Sequence, residues 1–212
     1  MYYVVRKDAP MTLGRAMELA GEGAVRCSTA LGADPRFAEA FSAWHERPRK
    51  VALRASAVEI DELRTELPGA LAGEVLLCLP PMLKSERPPL LESLRPFTDA
   101  PRPRDVPEPE PRSEALVYVI RPGVVKTMGK AIAQAGHAAL MAVERHGLDG
   151  WRAAGMPGEV RAAEGGDWER LRELPSAVVV SDAGLTQVEA GTETVIALPP
   201  GSPEAQPLAL VP

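Results

Sequence analysis

Two short stretches of the sequence concentrate groups able to do chemistry. In GKAIAQAGHAA, Gly129 to Ala139, the residues Lys130, Gln134 and His137 recur at i, i+4 and i+7, which puts them on one face of a helix. In VVVSDAGLTQVEAGTETVIALPP, Val178 to Pro200, Asp182, Thr186, Gln187, Thr192 and Thr194 crowd between two apolar runs. A carboxylate, a lysine and several hydroxyls suit hydrolysis of an ester. The carboxylate orients or deprotonates water, and the lysine with neutral donors stabilises an oxyanion. No activated-serine elbow and no candidate Cys–His pair is present, so a covalent route has no nucleophile to use. Near its ordinary pKa of about 3.9 an aspartate is a weak base, which burial would correct and a neighbouring lysine would oppose. Taken singly, the helix stripe also reads as solvated surface. Likewise, Asp182-Ala183-Gly184 also reads as a turn whose carboxylate bonds nearby amides. Their pairing is what points to chemistry.

These groups need a helix and strands to hold them. Thr127 reads as an N-cap and Gly147 as the stop, so the spacing predicts a helix ending near His146. Its body is made of small residues (Ala131, Ala133, Ala135, Gly136, Ala138, Ala139), a surface suited to lying close against a sheet. Lys130 falls in the first turn, where the helix dipole disfavours a cation. A carboxylate partner or a bound phosphate would compensate. Val178–Val180 and Val195–Leu198 read as buried strands, with Asp182 just past the end of the first.

The same pattern occurs earlier in the chain. Val4-Val5-Arg6 and Gly14-Arg15 fall on Val119-Ile120-Arg121 and Gly129-Lys130 at a constant offset of 115. Trp44 and Trp151 follow, and EVLLCLPP (Glu74 to Pro81) echoes ETVIALPP (Glu193 to Pro200). The polar segment is absent from the first copy: Glu66 to Glu74 spans 8 positions, whereas Glu173 to Glu193 spans 20. Arg15, Leu19 and Glu22 replace the helix triad. Between the halves, DAPRPRDVPEPEPRS carries proline at 101, 103, 107, 109 and 111, as an extended linker would. The expected organisation is α/β: two tandem copies of a small mixed-sheet domain flanked by helices, at 1–98 and 114–212, joined by a linker at 99–113. Each half reads strand, helix, strand, helix, strand, with one further strand in the second half only. The halves are expected to pack as an internal pseudo-dimer, with a further homo-oligomer possible.

Composition narrows the function classes. The 212-residue chain has 24 basic and 29 acidic residues, net charge −5, which argues against generic nucleic-acid binding. Cys27 and Cys78 fit neither a disulfide framework nor a metal spacing and read as small core residues. With no signal pattern and no long apolar run, a soluble cytoplasmic protein without metal is expected.

GKAIAQAGHAA, SDAGLTQVEAGTETVIALPP (Ser181 to Pro200) and the strand VIR (Val119 to Arg121) resemble the signature segments of the peptidyl-tRNA hydrolase II family, over roughly residues 115 to 200. The resemblance implies a compact α/β domain with a mixed four-stranded sheet, commonly dimeric. It also implies cofactor-free cleavage of the ester between a peptide and tRNA, with peptidyl-tRNA as partner. Carried over by motif, the catalytic positions fall on Lys130, Asp182, Thr186 and Thr194. The positions with supporting or substrate-contacting roles fall on Arg121, Gln134, His137 and Gln187. Gly123 stands where the family usually has an acidic residue, and the ending PGSPEAQPLALVP departs from the family pattern. From Arg112 onward there are 9 basic and 12 acidic residues, an unusual balance for a tRNA ligand. Two rivals therefore stand beside the hydrolase reading: a non-catalytic module retaining the fold, and a hydrolase of another acyl-tRNA or small ester.

Overall fold

The computed structural model of the protein describes residues 1–101, 109–184 and 188–212. The first half runs β1 (Tyr2–Arg6), α1 (Leu13–Leu31), α2 (Ala38–Glu46), β2 (Val51–Ala55), α3 (Ala57–Glu66), β3 (Ala70–Ala72), β4 (Leu76–Leu79), α4 (Pro89–Ser93) and β5 (Arg95–Pro96). The second runs β6 (Leu116–Ile120), α5 (Met128–His146), α6 (Asp149–Ala153), β7 (Gly158–Ala162), α7 (Asp167–Arg172), β8 (Val178–Ser181), β9 (Glu193–Leu198) and β10 (Ala209–Leu210). Each half builds one five-stranded mixed sheet, in the orders β3-β4-β1-β2-β5 and β8-β9-β6-β7-β10. In both, the central pair is parallel (β1 with β2, β6 with β7) and the others are antiparallel.

The α/β, two-sheet expectation holds, but each sheet has more strands than expected, because β5 and β10 each add an edge strand beyond the four that the resemblance implies. The first half also has the extra strand, β3, which the sequence does not announce: Gly69 to Gly73 reads GALAG, without β-branched residues. A three-residue turn joins it to β4, with Gly73 and Glu74 at φ 52° and 56°. The second half replaces this turn with residues 182–192. The small-residue face of α5, suited to lying close against a sheet, meets more than β8 and β9 of its own sheet. It lies against α1 and against β1 of the opposite half: a Cβ on Gly136 would sit 2.1 Å from the Tyr3 hydroxyl oxygen. The arrangement is reciprocal, because a Cβ on Gly21 of α1 would sit 1.9 Å from the hydroxyl oxygen of Tyr118 on β6. Only glycine leaves room for these rings.

The layers follow from strand alternation. Tyr3, Val5, Leu76 and Cys78 point inward from the first sheet, and Leu116, Tyr118, Val180 and Val195 from the second. Between them lie α1 and α5, and all of these residues form one core. The outward residues Val4, Leu53 and Leu77 are covered by Ile60 and Leu63 of α3. On the far side Val117, Val119 and Ile196 are covered by Trp168 and Leu171 of α7. α1 touches β3 and β4 of its own sheet and β7 of the other, while α5 touches β8, β9 and β2. The largest apolar burial is therefore shared between the halves, and neither half covers its helix alone.

Backbone bonds cross between the halves in matching fashion. At the start of α5, the Gly129 amide donates to the Phe97 carbonyl at 3.0 Å; at the start of α1, the Gly14 amide donates to the Pro212 carbonyl at 2.8 Å. Each half thus satisfies an orphan helix N–H of the other. Trp44 and Trp151 also match, donating to the carbonyls of Arg49 and Pro157 just ahead of β2 and β7. Cys27 and Cys78 are both buried and free. Of the linker, Asp99 accepts a hydrogen bond from Arg54 at 2.9 Å, and Arg112 reaches Glu18 of α1 at 2.9 Å. Residues 102–108 lie outside the described chain.

Candidate active site

α5 runs from Met128 to His146 with Thr127 as N-cap, accepting the Lys130 amide at 3.2 Å, and with Gly147 at φ 74° as its stop, as the sequence predicts. The first turn is buried, and Lys130 projects from it toward the end of β8. There Asp182 answers the charge: Lys130 Nζ and Gln134 Nε2 both donate to Asp182 Oδ2. The other carboxylate oxygen, Oδ1, accepts the Gly184 amide at 2.8 Å. Backbone bonds between Asp182 and residues 191–192 hold the loop closed at its base. The lysine that the helix dipole disfavours is thus compensated by a carboxylate.

Burial is the largest single influence on the Asp182 carboxyl and pushes its pKa upward. The Lys130 and Gly184 hydrogen bonds and the charges of Lys130 and Lys50 outweigh it, and the net displacement is below the ordinary value. Asp182 is therefore an anion at neutral pH and a weak base. Oδ1, with one lone pair not taken by Gly184, is suited to orienting a water.

One residue at this site comes from the first half and was not anticipated. Lys50, just ahead of β2, lies with Nζ 2.7 Å from His137 Nδ1 and 3.4 Å from Gln134 Oε1. Burial, then the Lys50 charge, holds the His137 imidazole neutral, with its pKa lowered to about 3. Nδ1 then accepts from the ammonium and the ring proton sits on Nε2. The ring edge packs on Trp44, with centroids 5.6 Å apart. Burial also lowers Lys50 to about 8; Asp182 opposes this and Lys130 adds to it. Lys50 begins an ordinary strand run, KVALRA, and local periodicity carries no sign that it faces the opposite half. The signal that was available is the pseudo-dimer expectation itself.

A cavity of about 190 Å³ opens over this cluster. Gly129, Lys130, Gln134 and Asp182 line one side, and Lys50, Val51, Pro96 and Phe97 of the first half line the other. Phe97 is held in place by Arg54, whose guanidinium lies 5.3 Å from its ring.

The structure thus brings together Lys130, Asp182, Gln134 and His137, and it separates others from them. Thr194 is fully buried and its hydroxyl donates to the Val180 carbonyl at 3.1 Å, at the bulge where β8 and β9 change register. It does not line the cavity. Arg121 stacks on Trp168 at 5.4 Å and faces Glu169 at 4.0 Å, also away from the cavity lining. Thr186 and Gln187 lie outside the described residues. In the first half, the places of Lys130, Gln134 and His137 are taken by Arg15, Leu19 and Glu22. Glu18 fills the neighbouring space, accepting from Arg15, Arg112 and the Gly158 amide.

Residues 115–206 match the family model described as Peptidyl-tRNA hydrolase PTH2. The match covers most of the C-terminal half, so that half is similar to the family over these residues. No curated protein matches the chain. The PTH2 match contains the whole Lys130–Gln134–Asp182 cluster and stops at residue 206, short of β10 and the tail that caps α1. Among the described residues no cluster of His, Cys, Asp and Glu is arranged to hold a metal. No described helix is long and apolar enough to cross a membrane.

Proposed function

We propose that the protein hydrolyses the ester between an N-acyl-aminoacyl or peptidyl group and tRNA in the cytoplasm, and that the second half carries the reaction. The observation behind this reading is the Lys130–Asp182–Gln134 cluster, at the wall of a cavity and inside the PTH2-matching residues. Asp182 Oδ1 orients a water onto the ester carbonyl, while Lys130 and Gln134 hold the carboxylate in place and keep it ionised. The water oxygen bonds to carbon, the ester C–O bond breaks, and the proton lost by the water ends on the departing ribose oxygen. Thr194 acts here as a positioning residue that fixes the bulge before Asp182. Thr186 keeps the catalytic role and Gln187 the substrate-contacting role their motif implies, and Arg121, just past the end of the central strand β6, a contact to the nucleic acid.

The first half serves as an inactive partner copy in an internal pseudo-dimer, with 1–98 and 114–212 as the two units. The repeated strand order, the Tyr3–Gly136 and Tyr118–Gly21 packing and the exchanged helix caps support that reading. The test is release of tRNA from N-acyl-aminoacyl-tRNA by the wild type and by Asp182→Asn. Release by the wild type with loss of at least 10²-fold in the variant is expected, in line with removal of a general acid–base group. No release by the wild type would refute the reading. Cleavage of a small-ester panel at higher efficiency than the tRNA substrate would replace it with a different esterase.

A further inference from the structure

The wall facing Asp182 carries a charge of its own. Asp182 Oδ2 is already bonded by Lys130 and Gln134, and Oδ1 by Gly184. Lys50, on the opposite wall, has neutral acceptors: the His137 imidazole and the Gln134 amide. Among the described residues no carboxylate forms an ion pair with it. Among the described residues, two ammoniums and one carboxylate therefore share a partly enclosed cavity, leaving one positive charge in excess. Holding such a charge out of water is costly unless an anion joins it. The position has no counterpart across the pseudo-symmetry. Tyr2 pairs with Val51 and Val117 with Glu159, so the place of Lys50 in the second half is Gly158. Gly158 bonds Glu18 there.

We infer that Lys50, supplied by the first half, is a catalytic residue of the second half's site, hydrogen-bonding the carbonyl oxygen as it becomes negative. This rests on the hydrolase reading above. As the water oxygen bonds to the ester carbon, the carbonyl π pair moves onto oxygen, and Lys50 Nζ donates to it. Collapse restores the double bond and expels the ribose oxygen, which takes the proton that left the water. Lys130 stays paired with Asp182 throughout, so the two lysines divide the work: one keeps the carboxylate ionised and the other meets the new charge. A cation whose resting partners are neutral is free to do this without breaking an ion pair.

The experiment uses the full chain with Lys50→Met and Lys50→Arg, measuring kcat and KM on N-acyl-aminoacyl-tRNA from pH 6.5 to 9.5. Lys50→Met should lower kcat on the order of 10²–10³-fold, the usual effect of removing one oxyanion donor, with KM nearly unchanged. Lys50→Arg should recover a large part of it. The wild-type kcat should decline above about pH 8, where Lys50 loses its proton, and the Arg variant's should not. The ionisable groups facing Lys50 are Lys130, His137 and Asp182, with His45 on α2 and the Met1 amine behind. Of these, His137 stays neutral and Asp182 charged over that range. Removing an uncompensated charge should leave the unfolding temperature of Lys50→Met equal or higher, which separates lost chemistry from lost fold. An unchanged kcat in Lys50→Met would overturn the inference, as would a rise confined to KM, the mark of a ground-state phosphate contact. An inactive wild type would instead remove the hydrolase reading, and this inference with it.

Discussion

Substituting Gly136 by alanine should loosen the seam between the halves. A methyl group there would sit 2.1 Å from the Tyr3 hydroxyl oxygen and 2.5 and 2.7 Å from two ring carbons. Ordinary contact needs roughly 3.4 Å or more, so the ring or the helix must retreat by about 1 Å in a close-packed interior. Tyr3 is fully buried, and among the described residues its hydroxyl has no hydrogen-bond partner, so no polar bond guides a new position. Overpacking of this kind costs about 1–3 kcal/mol, and the contact distances place it at the upper end. Alanine returns about 1 kcal/mol of helix propensity. The net loss is about 2 kcal/mol, or roughly 4–8 °C in unfolding temperature for a chain of this size. Tyr3→Phe deletes the nearest atom and an unsatisfied buried hydroxyl, so alone it should be neutral or stabilising. Combined with Gly136→Ala it should recover part of the loss, giving a coupling of about 1 kcal/mol in a double-mutant cycle. The Gly21→Ala and Tyr118→Phe pair should behave alike. Calorimetry or chemical denaturation reads all of these. Gly136→Ala unfolding at or above the wild-type temperature, with no coupling to Tyr3→Phe, would refute the close packing of α5 on β1.

Other outcomes follow from the same geometry. The folded-state pKa of His137 is lowered to about 3, below its ordinary 6.5, so the unfolded chain takes up a proton first as pH falls. Stability should therefore decline from about pH 6.5 toward pH 3, by at most about 4 kcal/mol from this group, and His137→Gln should flatten that slope in urea titrations. Asp182 has the opposite displacement for an acid: its contribution is present above the ordinary carboxylate pKa and is lost as pH falls through its lower folded value. Asp182→Asn should therefore lose less stability than the wild type between pH 4 and pH 2. Thr194→Val should cost about 1 kcal/mol by unpairing the Val180 carbonyl, while Thr194→Ser keeps full activity. A fall of more than 10²-fold in kcat for Thr194→Val with unchanged stability would show a substrate contact instead. Removing Val211 and Pro212 should lower the unfolding temperature measurably, because the Gly14 amide loses its acceptor and Val211 its bond to Val160.

The sequence carried α5 well, because its signals are local. Thr127 and Gly147 mark the ends, and the i, i+4 spacing puts Lys130 and Gln134 on one face, where both meet Asp182. The doubling was legible from the offset of 115, which also relates Tyr3 to Tyr118 and Gly21 to Gly136. Less legible was what depends on partners distant in sequence. β3 is three residues held by pairing with β4 rather than by propensity. The small residues of α5 suit a helix or a sheet equally, and only the tertiary fold selects α1 and the Tyr3 ring. Thr194 looks like a reactive hydroxyl in a motif, yet strand alternation turns it into the sheet. Lys50 is 80 residues or more from every side chain it touches in the site, and no periodicity spans that distance.

That one cavity is walled by both halves has a consequence for dilution. In an assembly of separate chains, such a cavity would come apart as concentration fell, and specific activity would fall with it. Here the walls are tethered, and their effective concentration is set by the chain itself, on the order of millimolar for short connections. A joined pair can also change one wall without changing the other. A lysine at position 50 and a glycine at position 158 are such an unpaired difference, which a twofold assembly of identical chains would have had to carry in both places or in neither.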